Sequence, residues 1–192
     1  MATQFTCGTL YLNIVSFYPL FVDKHYSKNI NTFMVSIAMS AFQFAGVICT
    51  PIHAITIGIM GRKNAMLYGT WCMLAANTGL GMLALIPYDN WGWFYFFSLI
   101  IRFLQGYGDT LATTTALSLI STNFSEDKTK YIGFMEAAGG LGLMIGPSFG
   151  SFLYGYLDYA WTFYILSIFI GINLVILVLY IPNELNNKQE VP

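Results

Sequence analysis

Residues 91–120 read WGWFYFFSLIIRFLQGYGDTLATTTALSLI. About 20 apolar residues suffice to cross a bilayer as one α-helix, so this stretch is long enough to span. Only Arg102 and Asp109 carry charge within it. A charge at the bilayer centre costs at least about 2.5–3.5 kcal/mol, which means that both groups need a partner, water or a neutral form. On a helix they share one face but stand about 10 Å apart along the axis, too far to pair directly. They are therefore expected to line a common cavity, joined by the hydroxyls of Thr110, Thr113, Thr114 and Ser118 further along the same helix.

The whole chain repeats the character of this segment. Of its 192 residues 56% are hydrophobic and 17% aromatic, only 9% are charged, and the mean hydropathy is +0.62. A soluble domain carries roughly 25% charged residues. The deficit excludes a soluble globular domain and points to an all-α integral membrane protein. Eight Lys and Arg against nine Asp and Glu leave a net charge of -1, so nothing draws the chain as a whole to nucleic acid.

Six apolar segments are expected to span the membrane: 8–22, 33–59, 65–86, 91–120, 132–156 and 160–181. The first lacks a basic n-region and a small-x-small cleavage site, so it reads as a span and not as a removed leader. Residues 183–192 form a polar tail. The loops after spans two and four, with the tail, carry Arg62, Lys63, Lys128, Lys130 and Lys188, whereas the other side has Lys24 and Lys28. By the positive-inside rule both termini are expected in the cytoplasm. Tyr88, Trp91, Trp93 and Tyr95 fit an aromatic belt at the opposite interface. No targeting motif separates the plasma membrane from an intracellular vesicle membrane.

An internal repeat is legible. Pro51 in span two and Pro147 in span five lie 96 residues apart, half the chain, and the same offset sets Asn13 opposite Asp109. Three spans per unit make two units of opposite sense, an arrangement recurrent in transporters. The expectation is two inverted three-helix repeats, with helix breaks at the two prolines.

Glu136, in span five, is the third ionisable group inside an apolar segment. Desolvation and neighbouring charge allow Asp109 or Glu136 to exchange a proton near neutral pH. The plainer alternative has Arg102 anchoring neighbouring helices and Glu136 snorkelling to the cytoplasmic loop. Gly142, Gly146 and Gly150 repeat every four residues and clear one helix face for close approach. Pro147 leaves the Leu143 carbonyl without its usual partner and adds a place to bend.

Cys7, Cys49 and Cys72 form no metal-type cluster and read as small packing residues. His25 and His53 lie on opposite sides of span two, and no metal, cofactor or nucleophilic enzyme chemistry is expected. His53 reads as a helix-end polar contact, and 121–130 as a solvated turn.

Three local patterns, in the expected spans and order, resemble those of the N-terminal six-helix half of a major facilitator superfamily transporter. Gly61-Arg62-Lys63 resembles the end of the loop signature G-x-x-x-D-R-x-G-R-K. Arg102-Phe-Leu-Gln105-Gly106-Tyr-Gly108 resembles R-x-x-Q-G-x-G, and Gly142 to Ser151 resembles the antiporter signature G-x-x-x-G-P-x-x-G-G. With Tyr131 to Ala138, the chain is similar to drug:proton antiporters and to vesicular amine or polyamine transporters.

This resemblance implies one half of the superfamily fold. It implies proton coupling for Arg102, a cytoplasmic gate at Gly61, Arg62 and Lys63, and bending for alternating access at Gly146 and Pro147. Departures from the pattern are specific. The loop signature's Gly, Asp and first Arg fall on Ala54, Gly58 and Ile59, Asp109 stands where a small residue is usual, and Ser151 replaces the last Gly.

Such a transporter rocks two bundles about a central site, and one bundle is encoded here. The second wall is expected from a homodimer or from another six-helix half. The functional expectation is a secondary transporter, or half of one, moving a small organic solute with proton coupling. The alternative is a non-transporting assembly subunit or truncated relative, whose glycine-lined fifth helix and aromatic faces serve assembly.

Overall fold

A computed structural model describes residues 1–182, and the polar tail 183–192 lies outside the described residues. Among the described residues the chain forms six long α-helices: α1 (Ala2–Tyr26), α2 (Thr32–Met60), α3 (Arg62–Met82), α4 (Trp91–Asn123), α5 (Lys128–Tyr156) and α6 (Tyr159–Tyr180). Two single 3₁₀ turns, Leu83–Leu85 and Tyr88–Asn90, join α3 to α4. Four of the helices, α1, α2, α5 and α6, are long and apolar enough to cross a membrane by length and composition. α3 opens on Arg62-Lys63-Asn64 and carries Asn77, and α4 carries Arg102, Gln105 and Asp109, which lowers their apolarity.

Local chemistry sets the ends. Asn31 caps α2, its side chain accepting the Met34 amide at 2.9 Å. Gly61 alone separates α2 from α3, at φ 80° and ψ 161°. Pro87 and the polar pair Asp89-Asn90 mark the turn before α4. The apolar run 8–22 is only the middle of α1, because Thr3, Gln4 and Cys7 continue its helix toward the N-terminus.

The expected breaks at Pro51 and Pro147 are corrected. Both prolines lie inside helices that continue through them. Each removes one backbone donor, and the remaining hydrogen bonds of a 29-residue helix carry the axis past the gap.

In lipid, apolar burial hardly drives helices together, so small residues and hydrogen bonds must bring them into register. Both are present. α1 lies along α5, α4 lies between α2 and α3, and α6 lies along α3. At the α3–α6 contact the Asn77 amide donates to the Phe163 carbonyl at 2.8 Å and to Ser167 Oγ at 3.0 Å. At one end of the bundle Phe17, Tyr18, Phe21, Tyr26, Phe94, Tyr159 and Phe163 form an aromatic core, with Phe21 stacked on Tyr159 at 4.0 Å. The outward faces of α2 and α5 remain apolar and exposed, at Phe44, Val47 and Ile55 and at Leu141, Met144 and Phe152.

The expected aromatic belt divides. Tyr88, Trp91 and Trp93 are exposed, but Tyr95 packs against the aromatic core. Tyr88 is also stacked on His25, with ring centroids 4.6 Å apart and planes 8° from parallel.

Candidate functional site

Glycines place α4 where its polar groups matter. A methyl built on Gly106 would run into the Phe42 carbonyl of α2, and one built on Gly108 would stand 2.6 Å from the Gly69 carbonyl of α3. Only hydrogen at these positions lets α4 wedge between its two neighbours. That register turns Asp109 toward α1 and α5, into a cavity of about 290 Å³. Gln4, Cys7 and Tyr11 of α1 line it, with Phe42 and Gln43 of α2, Asp109 of α4 and Glu136 of α5.

Two carboxylates thus share one opening, and among the described residues no lysine or arginine lines it. Glu136 is exposed and Asp109 half-buried. The Oδ1 oxygen of Asp109 is enclosed and has no hydrogen-bond partner among the described residues. Gln43 donates to the Tyr11 hydroxyl at 2.8 Å, which ties α2 to α1 across the rim. Thr113 donates to Gln4 Oε1 at 3.3 Å, whereas Thr110 donates back to the Gly106 carbonyl of its own helix at 2.9 Å. Of the hydroxyls expected to join Arg102 to Asp109, Thr113 is the one bonded across to α1.

The expectation that Arg102 and Asp109 face one cavity is corrected. Arg102 is fully buried and does not line it. Its guanidinium lies over the Phe42 ring, 4.9 Å from the centroid, and Nη1 donates to Gln105 Oε1 at 2.7 Å. Phe42 is itself part of the cavity wall, and its ring packs against a cation that the cavity does not reach. The guanidinium Nε and Nη2 have no hydrogen-bond partner among the described residues. A cation–π contact and one amide oxygen hold the charge in place of a carboxylate.

Asn13 is corrected as well. It is buried with both amide atoms unpartnered, and it faces α5, where a methyl on Gly150 would stand 2.5 Å from its Oδ1. It belongs to the helix contact and not to the cavity. Gly142, Gly146 and Gly150 form one side of that contact: a methyl on Gly142 would strike the Phe5 carbonyl, and one on Gly146 would stand 2.7 Å from the Thr9 carbonyl. The glycine face of α5 is thus filled by α1 and is not offered to a partner, which removes the main support for the assembly-subunit alternative.

At the expected gate, Gly61 holds a backbone conformation that is essentially glycine's alone, worth about 1–3 kcal/mol to any other residue. Lys63 is buried and donates to the Val178 carbonyl near the end of α6 at 3.3 Å. Arg62, beside it, begins α3 half-buried. Gly61→Ala is therefore expected to lower stability by about 1–3 kcal/mol, read as a reduced midpoint of thermal unfolding in detergent, while Gly58→Ala, inside α2 with open surroundings, does not lower that midpoint.

Several site residues escape sequence reading. Gln4 and Cys7 precede the apolar run taken as span one, and Phe42, Gln43 and Tyr11 look like ordinary helix residues. Gln105 stands inside the quoted span-four pattern, three residues from Arg102, which was the available signal for their pairing. His53 is not a helix-end contact. It is fully buried, edge-on to Tyr107 at 5.0 Å, and neither ring nitrogen has a hydrogen-bond partner.

The described residues form a bundle of six long helices with a polar cavity between α1, α2, α4 and α5. The sequence pattern of the Major Facilitator Superfamily matches residues 1–191, and the chain belongs to that superfamily. It is 26% identical over 158 residues to the multidrug transporter protein MdtP of Bacillus subtilis, covering 82% of this chain and 27% of that protein. It is 32% identical over 75 residues to the synaptic vesicular amine transporter of Bos taurus, covering 38% of this chain and 14% of that protein. Against the MFS-type transporter SLC18B1 of Homo sapiens it is 20% identical over 172 residues, covering 90% of this chain and 37% of that protein. The chain therefore spans well under half the length of these relatives.

Proposed function

We propose that this chain is a six-span half of a secondary active transporter that moves a small organic solute in exchange for protons by alternating access. The carrying observation is the cavity into which Asp109 and Glu136 both open, with no cation in its lining among the described residues. Such a lining favours a positively charged solute over an anion, and the Tyr11–Phe42 ring pair beside it, 5.0 Å apart, offers an apolar surface for the solute's carbon skeleton. Asp109 carries the proton. Glu136, at the exposed rim, takes part in solute capture. Arg102 acts from behind Phe42, holding the wall and the local field in place without touching solute.

The inverted repeat is part of this proposal. Shifted by 96 positions, the range of α2 falls on 128–156, the range of α5. Under the same shift the packing of α1 on α5 corresponds to that of α4 on α2. The basic residues Arg62, Lys63, Lys128 and Lys130 gather at the α2–α3 and α4–α5 connections, which supports a cytoplasmic side for both termini by the positive-inside rule. An exposed carboxylate in a membrane helix is costly, so a second bundle, from another copy or another chain, closes the cavity over Glu136.

The test is solute counterflow in proteoliposomes holding the purified chain, with a panel of organic cations and anions. Exchange of a cation that depends on pH is the expected result. Arg102→Ala abolishes it while the protein still inserts, because the wall loses the cation beneath Phe42. Pair formation is read in the same sample by crosslinking. Exchange of anions alone, or exchange indifferent to pH, removes the proposal.

A further inference from the structure

Cys7 lines the same cavity as Asp109, from the neighbouring helix, and is otherwise buried. Its thiol donates to the Met73 thioether on α3, sulfur to sulfur 3.9 Å. The Asp109 carboxylate is a second polar neighbour of that thiol, and the Thr113 hydroxyl a third. A thiol has one proton and serves one acceptor at a time. Thioether sulfur is a weak acceptor, whereas an ionised carboxylate is a strong, charge-assisted one. A protonated carboxyl loses that advantage.

The choice between the two acceptors therefore depends on the charge of Asp109. We infer that Cys7 is a positioning residue for the Asp109 proton: its S–H turns toward the ionised carboxylate and returns to Met73 when the carboxyl is protonated. The inference rests on the reading of Asp109 as proton carrier and adds the group that stabilises its empty state. The remaining titratable or charged groups around Asp109 are Arg102 on its own helix, Glu136 on α5, Tyr11 on α1 and Cys72 on α3, which touches the neighbouring Gly108. Gln43 is the polar contribution of α2 to the cavity. Arg102 attracts from behind Phe42, and Glu136 repels when ionised.

Infrared difference spectroscopy of the purified chain in lipid tests this without requiring transport. The Asp109 carboxyl band is assigned by its loss in Asp109→Asn, and the Cys7 S–H band by its loss in Cys7→Ser. The S–H band is expected to shift over the same pH range in which the carboxyl band disappears. Removing the donor in Cys7→Ala is expected to move the carboxyl midpoint to higher pH by about one unit, since a hydrogen bond to the charged form favours that form. Cys7→Ser, which keeps a donor, restores most of the shift. An S–H band that stays fixed while the carboxyl titrates, or a midpoint unmoved in Cys7→Ala, overturns the inference and leaves the proton-carrier reading standing. If Asp109→Asn removes no titrating band at all, both fall.

Discussion

Asp109→Asn is expected to abolish solute accumulation driven by a pH gradient while sparing counterflow at equal pH. Asparagine keeps the size of the side chain and can still accept a hydrogen bond from Cys7, but it cannot take up or release a proton. One pH unit is worth about 1.4 kcal/mol per proton, which sustains roughly a tenfold solute gradient in a one-for-one exchanger. In the variant that ratio collapses to about one, because the gradient no longer enters the transport cycle. Glu136→Gln acts differently. Its carboxylate sits at the exposed rim, so its loss weakens capture of a cationic solute and raises the half-saturating concentration while the pH-driven ratio persists. Measuring both variants at several solute concentrations separates the roles. A tenfold gradient surviving in Asp109→Asn and lost in Glu136→Gln would assign the proton to Glu136.

The second large effect concerns the helix contacts that shape the cavity. Gly106→Leu and Gly146→Leu are each expected to cost about 3 kcal/mol or more, the upper end of overpacking penalties. The obstacle is backbone. At Gly106 it is the Phe42 carbonyl, and at Gly146 the Thr9 carbonyl, and neither can rotate away as a side chain tip would. Relief requires moving α4 from α2, or α5 from α1. The built-in controls are Gly133→Leu and Gly171→Leu, where nothing lies within 4 Å and little change is expected. The checks are the folded yield in detergent and the unfolding midpoint of each variant. Equal midpoints in all four would mean that the helices are not in contact at these glycines.

These two groups of residues differ in how plainly the sequence announces them. Asp109 and Glu136 stand out because ionised groups are rare in apolar segments and each needs a reason to be there. The glycine stripe of α5 stands out by its spacing. Neither signal says what lies opposite. The same arithmetic that picked out Arg102 also paired it with Asp109 in one cavity, and that pairing fails because Arg102 is buried against a ring from α2 and does not reach the cavity. Phe42 is one of sixteen phenylalanines, and nothing in its local sequence marks it as the ring that packs against a buried cation at the cavity wall. Asn13 misled for a similar reason: offset arithmetic sets it opposite Asp109 in the chain, but helix rotation turns it into the contact with Gly150.

The sequence by itself determined that this chain is a helical membrane protein of the Major Facilitator Superfamily, and it marked most of the charged and small residues on which the proposed function rests. Those are properties of composition and spacing along one helix, where the cost of burying charge in lipid acts residue by residue. Only the tertiary structure decided that Asp109 opens to Cys7 and Glu136 while Arg102 is sealed beneath Phe42, and that α1 occupies the glycine face of α5. Which side chain meets which depends on how closely two backbones approach and how each helix is turned about its axis, and those are set by contacts between residues far apart in the chain.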